Sequence, residues 1–270
     1  MSNINPEKPV ILVLAGHDPS GGAGIQADIE SIASAGCHPV CIITSLTTQN
    51  TKTINGIYPQ NPDIFRNQLR LIMDDIEISA CKIGMIGDQQ LVDIIYSEIN
   101  GKRFPVVLDP VIRSESDHEL ANDVVIRKIT EKLVPTATLV TPNSDEARKL
   151  AATEDLDKAA KTLLSQGCKH ALITGTHENT NNVINTLYSH EGPPVIFEFD
   201  RLDGQFHGSG CTLSSSIAAN LALGMEITSA VENSLKYTWT CLKNAINPGS
   251  GNKIPDRTTW LINNINDETG

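Results

Sequence analysis

Short apolar runs rich in valine and isoleucine alternate with stretches of helical periodicity, and that alternation constrains the fold of this 270-residue chain more than any other feature. The runs fall at residues 10–15, 40–46, 81–85, 106–109, 138–141 and 171–174. Helical patterns lie between most of them, at 62–76, 90–99, 124–133 and 156–165, after a first helix on which Ile25, Ile29, Ile32 and Ala33 share one face before Gly36 ends it. Strand, helix and strand in repetition predict an α/β fold whose parallel sheet is covered on both faces. In such sheets ligands gather at the strand ends. Runs at 184–188 and 195–200, separated by a Gly-Pro-Pro turn, read instead as an antiparallel hairpin at the sheet edge, followed by two helices at 211–223 and 227–245. No internal repeat interrupts the pattern, so we expect one domain over 1–270, loosely ordered only at 1–8 and 266–270.

Net charge excludes several functions. At −11, with no cluster of Lys and Arg, the chain is ill suited to nucleic acid or to an anionic membrane, so any phosphate must be bound locally. No apolar stretch reaches the about 20 residues of a membrane span, and the first residues lack a signal-peptide pattern, which predicts a cytoplasmic protein. Six scattered cysteines in a chain of this size read as reduced thiols. Cys37 and Cys41 have no second ligand pair nearby and are expected to pack as small apolar residues rather than hold a metal.

Two glycine-rich turns carry the chemistry. The first, Gly16-His17-Asp18-Pro19-Ser20-Gly21-Gly22-Ala23-Gly24, joins the first strand to the first helix but matches neither the P-loop nor the dinucleotide fingerprint. The second, His207-Gly208-Ser209-Gly210-Cys211-Thr212, opens a helix. Its glycines can aim successive N–H groups into one small space beside the positive end of the helix dipole, making an anion cradle with a thiol at its centre. A tight turn would read the same way from this segment alone.

Together with Gln26-Ala27-Asp28, Thr47-Thr48-Gln49-Asn50-Thr51, Lys82-Ile83-Gly84-Met85, Leu108-Asp109-Pro110-Val111 and Thr141-Pro142-Asn143, these turns closely resemble the hydroxymethylpyrimidine/phosphomethylpyrimidine kinases of the ribokinase-like superfamily. The motifs follow in order along nearly the whole chain. The resemblance implies a ribokinase-like three-layer sandwich, transfer of a phosphoryl group from ATP with Mg²⁺ to a small pyrimidine in thiamin biosynthesis, in many cases a second transfer to its monophosphate, and a homodimer.

It also implies roles residue by residue. Gly208, Ser209, Gly210 and Cys211 form the phosphate cradle, where positioning and charge stabilisation are the main demands of phosphoryl transfer. Cys211 stands where sugar kinases of the superfamily carry an aspartate base, and a helix N-terminus should lower its thiol pKa from about 8.5. Asp28 and Gln49 resemble the pair that reads the pyrimidine edge, with Gly16, Met85 and Val111 as walls. Asp109 and Glu146 resemble acids that arrange Mg²⁺ through water, and Asn143 would support the phosphates. Glu146 equally suits the first turn of a helix.

Two departures stand out. Thr174 precedes Gly175-Thr176-His177 where many relatives carry lysine, so a cation beside ATP is missing. Ile112-Arg113-Ser114-Glu115-Ser116 replaces a glycine-containing flap and retains one cation, Arg113, as a substitute contact to ATP. Both departures bear more on the second phosphorylation than on the first. Pyridoxal kinase is the alternative enzyme, and a catalytically weak pyrimidine-binding regulator the alternative outside enzymes.

Overall fold

The structure, a computed structural model, describes residues 8–113 and 120–258. Among the described residues, nine strands form one sheet in the order β3-β2-β1-β4-β5-β6-β7-β8-β9. The six strands β1 (Val10–His17), β2 (His38–Gln49), β4 (Ala80–Ile83), β5 (Val106–Leu108), β6 (Leu139–Val140) and β7 (His170–Thr174) run parallel. The predicted hairpin is β8 (Asn182–Ser189) and β9 (Val195–Asp200), antiparallel beside β7. On the opposite edge lies a strand that the sequence pattern does not disclose, β3 (Ile54–Pro59), antiparallel to β2. Its Gly56 and terminal Pro59 weaken any strand signal, and only an edge position tolerates that proline.

Helices cover both faces. One apolar core beneath α2 (Pro62–Asp75), α3 (Gln89–Ile99), α4 (Asp123–Lys128) and α6 (Leu156–Ser165) is built around Leu12, Leu14, Phe65, Leu69, Leu91 and Leu163. Leucine, isoleucine and phenylalanine at helical spacing give each helix one inward stripe. Side chains also set the helix starts: Asn61, Asp88, Asn122 and Asp155 each accept from a backbone N–H of the following turn. The predicted single helix at 124–133 is α4 continued by a π turn, Ile129–Leu133, and a 3-10 turn containing Pro135. An additional helix, α5 (Ser144–Ala151), follows β6.

The second core, including Ile11, Val13, Val107, Ile217 and Val231, lies under α1 (Gly24–Ser34), α7 (Ser209–Ala222) and α8 (Ile227–Lys243). Here the expected face of α1 needs correction. Ile29 and Ala33 are exposed, and the buried face is Ala27, Asp28, Ser31 and Ile32. Because α1 packs against α7, it buries a polar network rather than a plain isoleucine stripe. The expected loose ends, Lys8 apart, lie outside the described residues, as do Ser114, Glu115 and Ser116 of the replaced flap. Among the described residues, no helix is long and apolar enough to cross a membrane.

Candidate active site

The carboxyl ends of the parallel strands open into a cavity of about 480 Å³, a size suited to small organic ligands. At the β1 end, Gly16 allows Met85 to lie close: a Cβ at position 16 would stand 2.6 Å from the Met85 methyl carbon. Both residues line the cavity with Gln49 and Val111. Four of the five expected pyrimidine contacts therefore line the same cavity.

Asp28, the fifth, does not line that cavity. It is fully buried behind it, with Oδ1 accepting from Lys82 Nζ at 2.7 Å and from Ser215 Oγ at 2.6 Å. Oδ2 has no hydrogen-bond partner. A carboxylate facing a buried ammonium is held by that charge, which explains its withdrawal from the cavity.

The second glycine turn is at the first turn of α7, which begins at Ser209, two residues before the predicted start. Gly208, its cap, has φ 90°, and a Cβ there would fall 1.9 Å from the Gly22 carbonyl oxygen. Only glycine fits. The two glycine turns thus meet backbone to backbone, and Gly24, at φ 59°, would likewise drive a Cβ to 2.3 Å from the Gly16 oxygen. Since α1 begins at Gly24, the N-termini of α1 and α7 converge on the cavity, each with unsatisfied N–H groups. The Gly24 N–H reaches the Cys211 sulfur.

Asp18 organises the junction. Its carboxylate accepts from Ser20 N and Oγ, Ala23 N and His207 Nε2, at 2.7 to 2.9 Å. Burial works to raise its pKa, but the hydrogen bonds from His207, Gln49 and Ser20 prevail and hold it well below the usual carboxylate range. Neither Asp18 nor His207 had a role in the sequence reading. The Asp-Pro-Ser order, favourable for a turn in which Asp accepts from the N–H two residues on, was the available signal.

The thiol of Cys211 reverses expectation. Burial pushes it up to about 11; Lys82 opposes this, whereas Asp28 and Asp109 reinforce it. Poor solvation, reinforced by two neighbouring carboxylates, leaves the thiol above its ordinary value despite the Lys82 ammonium. Asp109 is pushed up to about 6, chiefly by burial, with Lys82 and the 3.2 Å hydrogen bond from Ser214 Oγ opposing. Lys82 is itself fully buried; burial disfavours its charge, but Asp28, Cys211 and Asp109 keep it above the ordinary ammonium range.

On the far side, Asn143 and Glu146 form a reciprocal cap at the start of α5: Asn143 Oδ1 accepts from Glu146 N at 2.9 Å and Glu146 Oε2 from Asn143 N at 3.0 Å. Glu146 Oε1 also accepts from Ile112 N at 3.2 Å, tying α5 to the loop after β5. Asn143, Glu146, Arg113 and Thr174 all line the cavity. Thr174 and Asn143 are bridged side by side, with Thr174 N donating to Pro142 O at 3.0 Å. Arg201, also unassigned from sequence, lines the same end and grips the loop after Thr174 through the carbonyls of Thr176, Glu178 and Thr180.

Among the described residues, no three His, Cys, Asp or Glu side chains are placed to cage a metal ion. Two cavity-lining carboxylates, Asp109 and Glu146, suit Mg²⁺, which commonly uses one or two protein carboxylates, waters and substrate phosphates.

Residues 18–256 match the family model described as phosphomethylpyrimidine kinase. A hydroxymethylpyrimidine/phosphomethylpyrimidine kinase of Aquifex aeolicus is 32% identical over 256 residues, covering 92% of this chain and 99% of that protein. The protein of the same description from Escherichia coli is 33% identical, over 77% of this chain and 81% of its own length. Among solved structures, the ADP complex of Staphylococcus aureus pyridoxal kinase superposes with TM-score 0.86 at 25% identity, covering 94% of each chain. A phosphomethylpyrimidine kinase from Clostridium difficile gives TM-score 0.77 at 31% identity, over 87% of this chain and all of that one.

Proposed function

This chain belongs to the phosphomethylpyrimidine kinase family, and from that premise we propose that it transfers the γ-phosphoryl group of ATP to the hydroxymethyl oxygen of 4-amino-5-hydroxymethyl-2-methylpyrimidine and then phosphorylates the resulting monophosphate. The observation that carries the reading is the meeting of the two glycine turns. One turn borders the Gln49, Met85 and Val111 wall, and the other supplies the N–H groups of Ser209, Gly210 and Cys211 to an anion.

In this reading the pyrimidine lies against Met85 and Val111. The Gln49 amide donates to Asp18, which leaves its carbonyl oxygen to accept from the ring amino group. Gly208 through Cys211 hold the transferred phosphate, while Asn143, Arg113 and Thr174 border the rest of the nucleotide. Asp109 and Glu146 would hold Mg²⁺ through water, and the ion would supply charge neutralisation at the phosphates. As the hydroxymethyl oxygen bonds to phosphorus and the bond to the leaving ADP oxygen breaks, the hydroxyl proton passes to Cys211 Sγ. With that thiol at about 11, forming its thiolate at pH 8 costs about 4 kcal/mol, and the Lys82 ammonium is the charge that limits the cost. Asp28 serves by holding Lys82 in place rather than by touching the ring.

A coupled assay offering the pyrimidine, its monophosphate and pyridoxal as alternative acceptors tests this. Turnover should be fastest on the two pyrimidines; faster turnover of pyridoxal transfers the assignment to that vitamin. No ATP-dependent turnover of any acceptor would favour the regulatory alternative. A homodimer belongs to the same proposal. Leu46 and Tyr58, cross-strand partners on β2 and β3, leave an exposed apolar pair near the sheet edge, and light scattering of the purified protein reads the mass. A cytoplasmic location is proposed from six free thiols and an ATP-consuming reaction, and cell fractionation tests it.

A further inference from the structure

Arg257 is the largest fully buried side chain among the described residues, at 1% exposure, and it lies one residue beyond the family match. Its fork is spread across three parts of the chain. Nε donates to Thr212 Oγ1 at 2.8 Å, Nη1 to Glu30 Oε2 at 3.1 Å and Gly21 O at 3.5 Å, and Nη2 to Gly22 O. The segment carrying it is itself docked: the Arg257 carbonyl accepts from Ser34 Oγ and Tyr237 Oη, and Asp256 N donates to Cys241 O.

A buried guanidinium is costly unless its N–H groups are matched, so this location calls for a purpose that an apolar filler would not serve. Its place gives one. Nη2 would lie 2.9 Å from a Cβ at Gly208, beneath the contact between the Gly22 carbonyl and the cap of α7. Thr212, held by Nε, immediately follows Cys211. A side chain that grips Gly21 and Gly22 on one side and Thr212 on the other fixes the distance between the two turns. In a reaction that depends on positioning, a shift of about 1 Å between acceptor and phosphate can cost about 10²-fold in rate.

We propose that Arg257 is the positioning residue that fixes the Gly21-Gly22 turn against the Gly208–Thr212 turn and so sets the approach of acceptor to phosphate. The proposal rests on the kinase reading for its kinetic arm and on geometry alone for its exchange arm. Lysine at 257 keeps a charge but cannot reach Thr212, Gly21 and Gly22 together.

In the full-length protein, Arg257→Lys should therefore lower kcat by about 10- to 100-fold while each KM moves less than about threefold. Hydrogen exchange of the same variant should accelerate together at residues 20–24 and 208–212, with β4 to β6 unchanged. Wild-type kcat in the folded variant, or a loss confined to KM, overturns the kinetic claim. Acceleration confined to 253–258 overturns the coupling, whatever substrate the enzyme takes. If Arg257→Lys does not fold, Thr212→Val removes one anchor with the arginine in place. A fall in kcat of about threefold or more at unchanged KM then supports the proposal, and unchanged kcat defeats it.

Discussion

His207 Nε2 lies 2.9 Å from Asp18 Oδ2, joining residues 189 positions apart across the mouth of the site. Asp18 is almost fully buried and accepts from Ser20, Ala23, His207 and Gln49, so removing its charge leaves these donors short of an acceptor. Asp18→Asn should lower stability by about 1–3 kcal/mol at pH 7. Because the folded-state pKa is depressed, that contribution is present above about pH 4 and is lost as the pH falls below it toward the folded value. Urea unfolding at pH 7 and pH 3 should show the wild-type and variant curves converging in acid; an equal gap at both pH values contradicts the ionised role.

The high thiol pKa of Cys211 bears on its reactivity. Cys211 is part-exposed, as is Cys41, and burial pushes Cys41 up to about 12. Iodoacetamide should modify Cys211 slowly at pH 7, with a rate that climbs steeply toward pH 10 and falls when pyrimidine is bound. Rapid labelling at neutral pH would place the thiol well below 11. Cys211→Ala should lower kcat about 10²- to 10⁴-fold at nearly unchanged pyrimidine KM, and near-normal turnover would reduce the thiol to packing.

Asp109 carries the opposite sign to Asp18. Its folded pKa, about 6, lies above the unfolded value of about 3.9, so the folded state binds more protons between those values and stability falls as the pH rises through 6. Asp109→Asn should therefore unfold at higher temperature than wild type at pH 8, while kcat drops by about 10²-fold or more on the proposal that this carboxylate helps to hold Mg²⁺. Thermal melts at pH 5 and pH 8, read beside the assay, check both. A lower melting temperature at pH 8 would show that the carboxylate stabilises the fold.

Thr174 borders the cavity, half-buried beside Asn143, and brings no charge. Thr174→Lys should tighten ATP binding by on the order of 1 kcal/mol, the scale of a solvent-screened charge pair, and should help turnover of the monophosphate most, where two anions meet. Calorimetric titration with ATP and the monophosphate assay read the two effects. If neither changes, Arg113 or Arg201 already supplies the charge, or the phosphates lie away from β7.

Elements with a full apolar run or stripe, such as β1, β7 and α6, stand in the structure where periodicity places them, because burial alone dictates their pattern. β3 was illegible since an edge strand needs only part of that pattern. The face of α1 was misread because hydropathy cannot register that Asp28 is buried through Lys82 and Ser215, residues distant in sequence. The same gap explains Cys211, whose helix terminus is visible in the sequence but whose two carboxylate neighbours are not. Arg257 leaves no local trace at all: a lone arginine after Ile254-Pro255-Asp256 looks like surface until Gly21, Gly22 and Thr212 are brought to it.

The contact between Gly22 and Gly208 joins the start of the chain to its last quarter. A growing chain can pair β1 with β2 and β4 early, since those neighbours are close in sequence, yet the turn at Gly208 cannot meet Gly22 until residue 208 has been made. A polypeptide that stops before residue 208 lacks the turn proposed to hold the γ-phosphate. On the proposed mechanism an unfinished copy would not turn over ATP, because a late-made turn completes the site begun by the first.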